Sequence, residues 1–124
     1  MYKIILDTNA LINVIKQKID LVQKIDNLLQ KPFELYTFDS VINELEKLSK
    51  KKSKSSAFAS IALKSISEYD IKIIKGNYKN ADKDIINFAD TNWIVFTNDR
   101  KLKSILEKKG IRVIFIRELK KIEG

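Results

Sequence analysis

The chain contains no cysteine and no histidine, a single proline and three glycines. Without cysteine there is no disulfide, no thiolate nucleophile and no zinc ribbon. Without histidine, imidazole general-base catalysis and imidazole metal ligation are excluded. Acid–base or metal chemistry must then rest on carboxylates, lysines, tyrosines or hydroxyls. The glycines stand at 76, 110 and 124, too scattered to build a Gly-rich nucleotide cradle. No apolar run approaches the ~20 residues of a membrane span. The N-terminus lacks a basic region followed by an apolar core and a cleavage site. The expectation is a cytoplasmic protein with no membrane partner, and no internal repeat is visible.

What is present fits an ordinary domain. A length of 124 residues predicts one domain spanning 1–124, and an apolar fraction of 44% suffices for a core. Lys plus Arg number 24 against 16 Asp plus Glu, a net charge of +8. That excess suits a polyanion such as nucleic acid, although a lysine-rich surface also serves solubility.

Apolar runs predict strands at 2–6, 33–38, 71–74, 93–97 and 111–116. Helical spacing predicts helices over 7–14, 19–30, 40–48, 57–68, 82–91 and 99–109, with Asp39 or Ser40 capping the third and Gly110 ending the last. The basic, Ser-rich stretch KLSKKKSKSS at 47–56 reads as a loop. Strands alternating with helices predict an α/β domain with a mostly parallel sheet covered on both faces.

Several acids stand where they are costly. The run Ile4-Ile5-Leu6 stops on Asp7, and WIVFT leads through Asn98 to Asp99. Ligands of open parallel sheets bind beyond the carboxyl ends of strands, where strand order reverses. Asp is also a favoured N-cap of the following helix. Taking Ile85, Ile86 and Ala89 as the apolar face of their helix directs Asp82 towards the core and turns Asp84 to solvent. Glu44 sits at the edge of the stripe made by Val41, Leu45 and Leu48, a position that also suits a surface acid. Four convergent carboxylates would repel one another unless a cation neutralised them. Hard oxygen ligands without His or Cys select Mg²⁺ or Mn²⁺, and such an ion beside a basic surface suits phosphodiester hydrolysis.

Taken together, ILDTNALI at 5–12, SVINELEKL at 40–48, ADKDIINFA at 81–89 and VFTNDRKLKSILEKKGI at 95–111 resemble the PIN-domain ribonucleases. The likeness is to the small single-domain kind, of archaeal or VapC-like type. It implies a three-layer α/β/α sandwich around a mostly parallel sheet of about five strands. It implies metal-assisted, in-line attack of water on RNA at an acidic Mg²⁺ or Mn²⁺ site, leaving 5′-phosphate and 3′-hydroxyl ends. Carried over residue by residue, the metal-binding and catalytic acids fall on Asp7, Glu44, Asp82 and Asp99. Asn9, Thr97 and Asn98 match supporting polar positions, and Asp84 could be an extra acid. The implied setting is a toxin with a protein antitoxin, or an RNA-processing nuclease working with a ribosome-assembly factor. A homodimer is a further expectation.

Lys47, Lys50, Lys51 and Lys52 follow Glu44, and Arg100 and Lys101 follow Asp99, so phosphate contact is an expectation for both clusters. Charge runs also form solvated helix faces. Two other readings use the same scaffold: a silent RNA-binding module, and a structure-specific DNA nuclease. A haloacid-dehalogenase phosphatase would need an acid where Asn9 stands.

Overall fold

A computed structural model describes residues 1–117 and 121–124. Strand β1 spans Tyr2–Leu6, followed by helices α1 (Thr8–Lys16) and α2 (Leu21–Leu29). Strand β2 (Phe33–Phe38) leads directly into α3 (Asp39–Ser49), then α4 (Lys54–Glu68) and β3 (Lys72–Ile74). The chain continues through α5 (Ala81–Phe88), β4 (Ile94–Phe96), α6 (Arg100–Lys108), β5 (Arg112–Arg117) and β6 (Lys121–Glu123).

The sheet order is β3-β2-β1-β4-β5-β6. All pairings are parallel except β5 with β6, which is antiparallel. The chain builds outwards from β1 to β3, then crosses back and adds β4 and β5 on the other side. Strand order therefore reverses between β1 and β4. In such sheets the crevice beyond the carboxyl ends at the reversal is the natural ligand position.

Both faces of the centre are covered, as a parallel sheet requires. Successive strand side chains point to opposite faces. Ile4, Ile5 and Leu6 are nevertheless all fully buried, as are the neighbouring Val95 and Phe96. Helices α1, α3 and α4 pack together, and α5 packs on α6 and also meets α3. The result is the expected α/β/α arrangement.

Three details differ from expectation. The sheet has six strands among the described residues rather than five, because the last few residues return alongside β5. The 47–56 stretch is mostly helical, with only residues 50–53 outside α3 and α4, since Lys and Ser at helix ends do not forbid helix. Phe38 is the N-cap of α3 and makes no side-chain cap bond. Ser40, instead of capping, donates its hydroxyl to Asp84. Gly110, at φ +76°, ends α6 as its left-handed conformation favours. No helix among the described residues is long and apolar enough to cross a membrane.

The centre of the sheet should dominate stability. Ile5→Ala in β1 removes a fully buried side chain and should cost about 2–5 kcal/mol in urea unfolding. Ile73→Ala on edge strand β3, where the residue is 56% exposed, should change stability by less than about 0.5 kcal/mol. Equal effects at the two positions would contradict this placement of the core.

Candidate active site

Parallel register places the first two acids side by side. Leu6 is paired with Phe96, so Asp7 and Thr97 leave the sheet as neighbours. Asp7 is the N-cap of α1: its Oδ1 accepts the backbone N–H of Ala10 at 2.7 Å. Its Oδ2 accepts the hydroxyl of the buried Thr97. The same Thr97 oxygen accepts the N–H of Asp99 at 3.0 Å. Asp99 caps α6 in turn, its Oδ1 accepting the N–H groups of Lys101 and Leu102 at 2.9 and 3.1 Å. Capping and site formation are thus not alternatives for these two residues. The cap orients each carboxylate at the sheet edge.

The other two acids come from helices that follow β2 and β3. Glu44 on α3 accepts the Thr8 hydroxyl at 3.0 Å through Oε2. Asp82 lies in the first turn of α5, whose cap Asn80 accepts the N–H of Lys83 at 3.0 Å. Asp7, Glu44, Asp82 and Asp99 line one cavity of about 280 Å³ together with Asn9 and Asn80. Asp7 and Asp99 follow β1 and β4 within three residues, whereas Glu44 and Asp82 reach the cavity from helices α3 and α5.

The electrostatics follow from burial. Asp7 is 3% exposed and its carboxyl is raised from the ordinary 3.8 to about 7. Desolvation is the main cause; the Thr97 and Ala10 hydrogen bonds oppose it, and the charges of Asp82 and Asp99 add to it. Asp82 is also raised, by desolvation and then by Asp99, while Lys101 pulls it down.

Asp84 provides the contrast. It too is 3% exposed, and Asp82 is exposed, so the expectation that Asp82 faces the core and Asp84 the solvent is reversed. The inward stripe of α5 runs through Ala81, Asp84 and Ile85. Ala89, on which the other projection depended, lies past the helix end as its C-cap. Asp84 accepts the N–H groups of Asn77 and Tyr78 at 2.8 and 2.9 Å and the Ser40 hydroxyl at 2.7 Å. Burial pushes its pKa up, but these donors outweigh it and the net shift is downward. Asp84 lies outside the acidic cavity and secures the loop before α5.

Other expected positions divide similarly. Asn9 lines the cavity, and Thr97 serves it through Asp7 and Asp99. Asn98 is turned away: its side chain donates to Ile116 O and accepts from Ile116 N, pinning β5. Lys101 is close enough to lower Asp82, whereas Lys47 and Lys50 line a neighbouring cavity. Lys51, Lys52 and Arg100 are exposed and do not line the acidic cavity. Thr8 and Asn80 escape a reading of the sequence. A polar Thr8 opening an apolar helix, and an Asn two residues before Asp82, are the signals that could find them.

The donor set suits a hard divalent cation. It is all oxygen, clustered, and short of positive charge. No three acids among the described residues are gathered as one ready-made metal group. A divalent ion here would be held by one or two carboxylates, with water completing its shell.

Comparison with known proteins shows the family and the fold. Residues 4–119 match the family model described as PIN like domain. The chain is 38% identical over 128 aligned positions to Ribonuclease VapC4 of Methanocaldococcus jannaschii, covering 99% of this chain and 96% of that protein. The solved PIN domain endonuclease Utp24 superposes with a TM-score of 0.82 at 28% identity, covering 98% of this chain and 89% of that one. VapBC2 from Rickettsia felis, solved with a promoter DNA fragment, gives a TM-score of 0.62 at 18% identity over 91% of this chain and 98% of that one, a likeness of fold alone.

The raised Asp7 pKa has a signed consequence for stability. The folded state holds this proton more tightly than the unfolded state, so stability falls as pH rises from about 4 to about 7. In EDTA, Asp7→Asn should therefore be more stable than wild type at pH 8, by on the order of 4 kcal/mol, and nearly equal to it at pH 4. Thermal unfolding across that range is the check. A variant no more stable at pH 8 would contradict the assignment of a strained carboxylate.

Proposed function

The chain belongs to the PIN-like domain family and is a homologue of a VapC ribonuclease, and from this we propose that it is a Mg²⁺- or Mn²⁺-dependent endoribonuclease acting at the acidic cavity. One observation carries the reading. Asp7, buried at the point where strand order reverses, accepts two hydrogen bonds from the described residues and faces further acids in one cavity. An ionised carboxylate offers about four acceptor sites. A purely structural acid would be compensated like Asp84.

In this proposal Asp7, Asp82 and Asp99 hold the divalent ion directly or through water, and Glu44 binds or orients. The ion, when bound, neutralises the carboxylates and makes a water more acidic beside the scissile phosphate. The chain's own residues supply orientation. Ala10 and Thr97 fix both oxygens of Asp7, the Thr97 hydroxyl links Asp7 to Asp99, and Thr8 tethers Glu44. Asn9 and Asn80, both lining the cavity, offer neutral amides that hydrogen-bond phosphate oxygens without adding charge. With no histidine in the chain, the carboxylates are the proton acceptors at hand.

The near full-length relation to VapC4 supports a toxin-type nuclease regulated by a protein antitoxin that covers this cavity. The relation to the PIN domain endonuclease Utp24 supports a nuclease without a toxin setting, and the VapC relation has the higher sequence identity. Both settings share the same chemistry.

The test is cleavage of labelled RNA by wild type, Asp7→Asn and Asp99→Asn in Mn²⁺, Mg²⁺ or EDTA. Wild type should cut only with a divalent ion. Each variant should lose at least about 100-fold in rate, the scale of removing one preorganised electrostatic group. Undiminished cleavage by either variant, or cleavage in EDTA, would overturn the assignment.

A further inference from the structure

Beside the acidic cavity lies a basic one. It has a volume of about 570 Å³ and its lining includes Lys47, Lys50, Lys75, Lys79, Asn43 and Asn77. The two share their walls. Asn43 faces the basic cavity and Glu44 the acidic one, on α3; Lys79 and Asn80 divide in the same way on the 75–80 loop. A strand lying across one therefore continues into the other over the Asn43–Glu44 and Lys79–Asn80 ridge.

The lining is built for anions. Two carboxylates also belong to it, Asp39 and Glu46. Asp39 is committed inward: its Oδ1 accepts the N–H groups of Ser40 and Gly76, both at 2.9 Å. The lysines are exposed and make no ion pair among the described residues. Lys47 and Lys50 are three residues apart and project from the same side of the α3 end.

The loop carrying Lys75 and Lys79 is held in place. Asp84 accepts the consecutive N–H groups of Asn77 and Tyr78. A Cβ at Gly76 would lie 2.2 Å from Asp84 Oδ2, so only glycine lets the loop close on that carboxylate. A preorganised wall loses less entropy when a ligand binds. On the other side of this loop, Tyr78 and Phe88 are 50% and 43% exposed, beside a smaller cavity that shares Lys75 and Asn77. Exposed aromatic faces next to lysines suit unstacked bases rather than a closed duplex.

We propose that the groove of Lys47, Lys50, Lys75 and Lys79 binds the sugar–phosphate backbone of an unpaired RNA strand on one side of the cleaved bond. The proposal rests on the nuclease reading for the identity of the strand. It gives a function to Lys75 and Lys79, which no charge run in the sequence marks, and it places Lys51 and Lys52 outside the groove.

Salt dependence of binding tests it directly. Anisotropy of a labelled single-stranded RNA of about 12 nucleotides is titrated in EDTA with wild type, with Lys75→Gln/Lys79→Gln, and with Lys24→Gln/Lys31→Gln, whose positions line neither cavity. Each phosphate that a variant no longer neutralises should reduce the slope of log affinity against log salt by about 0.7. The groove variant should therefore lose about 1.4, and the control variant nothing. Duplex RNA of the same sequence should bind wild type more weakly and show no such difference. An unchanged slope in the groove variant would overturn the proposal, as would an equal loss in the control or on the duplex. A parallel Mn²⁺ cleavage assay separates the two claims. Cleavage by wild type with an unchanged slope removes the groove alone; a reduced slope without cleavage removes the nuclease reading alone.

Discussion

The structure turns on a carboxylate buried at the end of the central strand. The side chain of Asp7 that caps α1 is also enclosed by the strands beside it, where a neutral cap such as Asn would carry no charge to bury. Its neighbours supply two hydrogen bonds and further negative charge. Uncompensated, it resists ionisation near neutral pH. The parallel register that brings Thr97 alongside, the helix starts that aim Asp82 and Asp99, and the Thr8 tether on Glu44 all act around this group. A protein that keeps such a group at the reversal of its sheet gains from it only when something positive arrives.

Asp84 shows what a carboxylate retained for structure looks like in the same molecule. Both side chains are hidden from solvent, yet the shifts run in opposite directions. Asp7 is the more deeply desolvated, has like charges nearby and accepts one backbone N–H and one hydroxyl; Asp84 lies nearer the surface and accepts two backbone N–H groups and a hydroxyl. Asp84 favours folding above the ordinary carboxylate range and loses that contribution as pH falls, whereas Asp7 opposes folding as pH rises. One secures the loop that walls the basic groove. The other is the centre of the acidic cavity.

Much of this was legible in the sequence because local signals and tertiary demands coincide. Consecutive buried residues marked β1 and β4 as central parallel strands, and Asp7 and Asp99 stood at their ends. The clustering of Glu44 and Asp82 with them agrees with the motif pattern. What failed did so for physical reasons. Asp84 was misplaced because its helix is only eight residues long, so a stripe anchored on Ala89 drew on a residue outside it. Asn98 has the composition of a site residue but satisfies the backbone of Ile116, a partner eighteen positions away that no local pattern reveals. β6 is three residues of mixed character whose pairing exists only because β5 offers an edge. Lys75 and Lys79 stand apart in sequence and gather with Lys47 and Lys50 only through the fold.

The most direct test of the central claim is a carbon-13 NMR titration of the Asp7 carboxyl, in EDTA and in saturating Mg²⁺. Without the ion, the inflection should lie near pH 7. With it, the inflection should move into or below the ordinary carboxylate range, because an adjacent cation favours the charged form. An inflection that Mg²⁺ leaves in place, or one that already lies near pH 4 in EDTA, would contradict the account of Asp7 as a carboxylate awaiting a cation.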